Sequence, residues 1–189
     1  MAYIANTAFE ERVVNKGDWT LRVPGLYDNS GAEICSAGFV VAKNGLIDNR
    51  GYETYTASFK NLNTWQMIKS SAGAEDEIYI CNPYNVNELT DMDGNVYRIG
   101  MNTLGIPVPA GEIGTFTKAE EGGIYSFGAG NFSTAPTAAN KYCAVANGLL
   151  VPDDEVPASG WYFELIDIGN FTKGRYLGGA KYTLVAKKA

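Results

Sequence analysis

The residues that could do chemistry are few, and the first observation is an absence: the chain contains no histidine. That removes the commonest general base, the commonest metal ligand and every Ser-His or Cys-His nucleophile pair. Carboxylates remain for proton transfer. Asp153-Asp154-Glu155 lies in a loop bounded by prolines, and Glu75-Asp76-Glu77 precedes an apolar run. Two acids on opposite sides of a sugar would serve glycoside hydrolysis, but both runs read as solvated loop charges. Cys35, Cys81 and Cys143 are odd in number and far apart, with no Cys-x-x-Cys, so a zinc site would have to gather distant ligands. Each sits among apolar strand residues, which predicts buried free thiols. Asp91-Met92-Asp93-Gly94-Asn95 has the opening of a calcium loop, but that spacing wants glycine at Val96 and an acid at Asn102. No phosphate-cradling Gly-Lys-Ser/Thr loop and no dinucleotide-binding glycine pattern occurs. The reading is therefore no enzyme, with no catalytic, cofactor-binding or metal residue and no cofactor.

Three tryptophans, Trp19, Trp65 and Trp161, would make a sugar-binding platform if two shared an exposed face. Each adjoins an apolar run, which favours core packing. Asn131-Phe132-Ser133 and Asn170-Phe171-Thr172 match the glycosylation sequon, but the N-terminus has neither the basic start nor the apolar run of a secretory signal. No stretch approaches the roughly 20 apolar residues of a membrane-spanning helix, so no membrane partner is expected. The formal charge of −6, with no basic cluster before Lys187-Lys188, disfavours nucleic acid.

The elements that would carry these residues are short strands. Twenty-two glycines and twelve tyrosines in 189 residues suit turns and half-wet pleated surfaces. Trp19 to Val23 alternates as a strand that Pro24-Gly25 ends. A hairpin is predicted at Ala37–Ala42, turning at Lys43-Asn44-Gly45, and a second around Asp93-Gly94. A third runs from Lys141–Ala146 through Asn147-Gly148 to Leu149–Val151. Thr64 to Ser70 is ambiguous between strand and helix. Glu77 to Cys81 reads as a strand, as do Glu112 to Lys118 (with Ile113 and Phe116 as core contacts), Ile124 to Phe127, Trp161 to Ile168 and Arg175 to Lys187. The sum is an all-β protein of one or two small sandwich or barrel units built from hairpins, with a short N-terminal arm or helix. Residues 1–18 form that arm. The rigid connector Pro107-Val108-Pro109 divides a β-rich 19–105 from a β-rich 106–189, unless the two make a single domain. Tyr3, Ile4 and Phe9 are candidate assembly contacts, because so short an arm has few partners of its own. Docking on a neighbour and folding back onto its own core both satisfy them.

The C-terminal half carries a resemblance. Glu112-Ile113-Gly114-Thr115-Phe116-Thr117-Lys118 follows the proline connector, and Tyr142 to Leu150 follows a Gly-rich stretch. Gly160-Trp161-Tyr162-Phe163-Glu164-Leu165-Ile166 and Tyr182-Thr183-Leu184-Val185 complete the run. In style, these last 85 or so residues resemble the head decoration (auxiliary capsid) proteins of tailed bacteriophages. The Met1-Ala2-Tyr3-Ile4-Ala5 start is similar to that of phage structural proteins. The resemblance implies a virion structural protein, assembled in the host cytoplasm, that binds the capsid exterior and stabilises the shell. Its implied partners are the major capsid protein and further copies of itself, a trimer among the forms. A tail or head-fibre component and a carbohydrate-binding or adhesive β-sandwich are the alternatives.

Overall fold

A computed structural model describes residues 7–13, 22–27, 35–46, 65–71, 73–82, 88–90, 96–98, 108, 113–171 and 179–189. Among them there is no α-helix, only a single 3-10 turn at Ala129–Asn131 and thirteen strands. The strands are β1 (Phe9–Val13), β2 (Arg22–Tyr27), β3 (Val40–Leu46), β4 (Trp65–Lys69), β5 (Tyr79–Asn82), β6 (Glu88–Thr90) and β7 (Val96–Arg98). They continue as β8 (Ile113–Lys118), β9 (Ile124–Gly128), β10 (Tyr142–Ala146), β11 (Leu149–Asp153), β12 (Trp161–Asn170) and β13 (Ala180–Lys188). Five close into a barrel, β2-β4-β3-β5-β8, and six form an open sheet, β1-β9-β13-β12-β10-β11. The ribbon β6-β7 stands as a third, two-stranded sheet. The chain is all-β, as its composition predicts.

Two strands explain how barrel and sheet share one molecule. Phe39-Val40-Val41-Ala42 and Ile78-Tyr79-Ile80-Cys81 are continuous apolar runs, the pattern of strands buried on both faces. Phe39, Val41, Tyr79 and Cys81 pack with Tyr27, Met67 and Phe116 inside the barrel. Their neighbours Val40, Ile78 and Ile80 turn the other way and pack with Tyr125, Phe127 and Phe163 beneath the sheet. Room in the barrel is tight enough that β2 carries a glycine: a Cβ on Gly25 would fall 2.5 Å from Met67 Cγ and 2.9 Å from Phe116 Cδ2. Hydrogen bonds tie the two bodies. Val40 N–H donates to Gly148 O, Gly148 N–H to Ser70 O, and Trp161 N–H to Gly73 O. Buried Asn131 accepts from Ala8 N–H and Gly128 N–H on Oδ1 and donates to Ala37 O through Nδ2, so one side chain pins three segments.

The sequence reading and the structure part company at several places. Of the two forms open to the N-terminal segment, helix or extended arm, residues 9–13 take the extended one, and as a paired strand: β1 runs antiparallel to β9, Phe9 opposite Phe127. The i, i+4 spacing of Phe9 and Val13 fits a period of two as well as one of 3.6. The first eighteen residues therefore contribute a strand to a sheet otherwise made from residues beyond 123. β8 follows the proline connector yet closes the barrel with strands that precede it, pairing with both β2 and β5. Val108, within the connector, bridges to Cys35. Lys43-Asn44-Gly45 is not a hairpin turn. It lies within β3, where the register to β4 slips between Lys43 and Leu46, and Gly45 takes φ of 92°. Positive φ at glycine serves a bulge as readily as a turn. Asn147-Gly148 is a turn: both residues have positive φ, 50° and 79°, the requirement of a type I′ hairpin. Pro24-Gly25 does not end β2, since β4 pairs only with residues 25–27 and the proline breaks no ladder there. Ile113 is half exposed while Phe116 is buried. Residues three apart on a strand face opposite sides, so both could not be core.

A candidate functional site at the barrel mouth

Lys43 follows Val41 by two residues on β3, so its side chain leaves on the barrel side, at the end where the apolar filling stops. There its Nζ sits 4.3 Å from the centre of the Trp65 ring and 4.8 Å from that of Tyr79, a cation held over two aromatic faces. Glu77, just before β5, is the hub. Its Oε2 accepts the Tyr79 hydroxyl at 2.6 Å and lies 3.6 Å from Lys43 Nζ, and its Oε1 pairs with Lys118 of β8. Lys118 and Tyr79 stand opposite each other in the β5–β8 ladder, which places both donors on one carboxylate.

The electrostatics follow from these contacts. Hydrogen bonds from Lys118 and from the Tyr79 hydroxyl pull the Glu77 carboxyl down to about 2, with Lys43 adding to the effect against a burial penalty. Burial pushes the Tyr79 phenol up, and donation to the adjacent Glu77 carboxylate raises it further. A general acid or base works best with a pKa near the working pH. Glu77 stays ionised and Tyr79 stays protonated across the neutral range, so the pair holds a charge-assisted hydrogen bond there.

Beside the hub opens a cleft of about 760 Å³ lined by Asp76, Glu77, Lys118, Glu120, Glu121 and Trp161. It lies where the barrel mouth meets the start of β12. Trp161 Nε1 donates to Asp76 O at 3.3 Å, and Lys188 Nζ lies 3.6 Å from Asp76 Oδ1. Among the described residues, no group of three or more acids or thiols is arranged to hold a metal ion.

Of the candidate assembly contacts, Tyr3 and Ile4 lie outside the described residues. Phe9 is folded back onto its own core, 4% exposed, stacked on Tyr125 at 5.9 Å and tilted against Phe127 at 5.6 Å. Asp153 spends Oδ1 on the backbone N–H groups of Asp154 and Glu155, a local turn on an exposed loop. Glu75 accepts from the Ser70 hydroxyl. Glu77, read as a solvated loop charge, is instead bonded on both oxygens. Trp161 is buried and Trp65 half-buried under Lys43, while Trp19 and residues 91–95 lie outside the described set. The three cysteines are buried and form no disulfide, and the Cys81 thiol donates to Cys35 O. Burial raises the Cys35 and Cys143 thiols, with nearby Cys81 adding to the effect at Cys35. Asn131 of the first sequon is buried and fully engaged; Asn170 of the second is exposed.

No family model, curated protein or solved structure matches the chain. Its class is defined by its own geometry: an all-β protein in which a closed barrel, with an ion-pair cluster at its mouth, shares two strands' worth of core with an open sheet.

Proposed function

We propose that the protein is a non-enzymatic structural component of a virion that binds the capsid exterior and cements the shell. The observation that carries this reading is a contrast on the described surface. At the barrel mouth Glu77 is bonded on both oxygens by partners from its own barrel, while Ile113, Ile166 and Ile168 stand about half exposed on their strands. Such a surface suits adhesion by a rigid body more than turnover. The C-terminal likeness to head decoration proteins supports the same reading. Cementing also fits the energetics, because modest contacts repeated in many copies over a lattice are multiplied by avidity. The partners would be the major capsid protein and sister copies, and the location the outer capsid surface after assembly in the host cytoplasm.

The test is reconstitution. Purified chain mixed with shells of the virus that encodes it is expected to comigrate with intact particles in a density gradient, and decorated shells are expected to rupture at a higher temperature than bare ones. Chain that stays at the top of the gradient overturns the proposal. Binding to tails instead would make it a tail component, and selective binding on a glycan array would make it an adhesin.

A further inference from the structure

β12 outruns its neighbour. β10 pairs with it only through Tyr142 opposite Glu164, Cys143 opposite Phe163 and Ala144 opposite Tyr162, with one more bond from Leu165 N–H to Lys141 O. From Ile166 to Asn170, β12 pairs with β13 alone, and among the described residues nothing pairs with its other side. The sheet's formal edges are guarded. β11 carries Pro152 and is bridged at Leu150 by Phe132, and β1 is interrupted between Glu11 and Val13. Beyond the bulge at Ile166, nothing among the described residues covers the tip of β12, and it presents Ile166 and Ile168, 52% and 51% exposed.

A bulge at Ile166 sets which groups face out. Leu165 N–H points toward β10, whereas Phe171 N–H points to Gly179 on the β13 side. Six residues apart on a regular strand they would point the same way, and the register slip between Leu165 and Asp167 reverses the parity. Beyond the bulge the backbone groups of Ile168 and Asn170 therefore face the open side. The other alternation places Asp167 opposite Thr183 and Gly169 opposite Lys181 on one face. A Cβ on Gly169 would lie 3.7 Å from Asp167 Oδ2 and 4.0 Å from Lys181 Nζ, so the glycine leaves a corridor flanked by one acid and one base.

We infer that this edge pairs with the same edge of a second copy, antiparallel and two-fold about Ile168, joining the two sheets into one. An open strand edge takes a strand, and the charges select this chain as its own partner. In that register Ile168 meets Ile168 and Asp167 meets Gly169. Across each row the acid of one copy looks past a bare glycine to Lys181 of the other. Centring the axis on Asp167 would set like charges face to face, which destabilises a strand pair. The pairing stands whether or not the chain coats a shell, and its two-fold symmetry separates it from a trimer.

The test uses the full chain in analytical ultracentrifugation over a concentration series, with Ile168→Cys and Asn170→Cys compared under mild oxidant. On the axis, the Ile168 Cα atoms of two copies would lie about 5.5 Å apart, within disulfide reach. Those of Asn170 would lie about 14 Å apart, beyond it. The native cysteines are buried and do not compete. The expected result is a dimer, with I168C cross-linked and N170C not. Asp167→Lys and Lys181→Asp should each weaken it about tenfold, and the double swap should restore it. A monomer at every concentration overturns the inference. So does an oligomer, trimer included, that ignores the charge swaps, or N170C cross-linking as readily as I168C.

Discussion

In the barrel, β2, β4, β3, β5 and β8 close on one another, so each strand has a neighbour on both sides; in the sheet, β1 and β11 are edges and β12 outruns β10. The two regions draw on the same residues, since β3 and β5 fill the barrel with one face and support the sheet with the other. Closure makes the barrel interior exacting: its filling reaches to the backbone of Gly25, and at its mouth Glu77 is held by Lys118, Tyr79 and Lys43 of the same barrel. The open sheet leaves the outer edge of β12 beyond Ile166 unpaired among the described residues, with Ile166 and Ile168 exposed there. The comparison teaches that sequence change in the barrel is felt as stability, and that the far end of the sheet, less tightly packed, is where the proposed pairing would feel it.

The largest expected effect tests where the N-terminal segment belongs. Phe9→Ala removes a ring packed against both Tyr125 and Phe127 and leaves a cavity in the shared core. The urea midpoint should report a loss of about 3–5 kcal/mol. If Phe9 were instead a contact reserved for a neighbour, the isolated chain would lose less than about 1 kcal/mol and only association would suffer.

A pair of glycine substitutions sharpens the contrast between interior and edge. Gly25→Ala places a methyl 2.5 Å from Met67 Cγ inside the barrel and should cost about 1–3 kcal/mol by overpacking. Gly169→Ala meets nothing closer than 3.7 Å and should stay within about 0.5 kcal/mol of the parent. Thermal melts of the two variants side by side check this, and equal losses would mean that the barrel is no more tightly packed than the sheet tip.

Much of the architecture was legible because it rests on short-range patterns. The hairpin at Asn147-Gly148 follows from two residues that tolerate positive φ between apolar runs, and the all-β class from glycine, tyrosine and alternation. Asn44-Gly45 carries the same local signal, yet the partners of β3 are β4 and β5. Nothing local tells a turn from a bulge when the choice depends on strands 20 to 40 residues away. Phe9 was visible as an apolar residue in search of a partner, but its partners lie more than a hundred residues on. The Glu77 cluster was hidden for the same reason. Lys43, Trp65, Glu77 and Lys118 come from four stretches of chain, and only barrel closure brings them together. The one sequence trace of it is Lys43 two residues after Val41 on a strand whose inward face is otherwise apolar. The β12 edge was hidden differently, since it exists only because β10 is shorter than β12.

The smallest expected effect lies at the barrel mouth and shows itself through pH. Glu77 has a folded pKa of about 2 against an ordinary value of 4.5, so its bonds to Lys118, Tyr79 and Lys43 contribute fully above about pH 4.5. As pH falls toward 2 the carboxylate is protonated in both states and the contribution disappears. Because the side chain is 43% exposed, solvent screening holds that contribution to about 1 kcal/mol or less. Urea midpoints of the parent and of Glu77→Gln should therefore differ by a constant small amount from neutrality down to about pH 5, then converge between about 4.5 and 2. Parallel curves through that window would mean the carboxylate is not held by its three partners. Glu77 would then be a solvated surface charge rather than a carboxylate held by its own barrel.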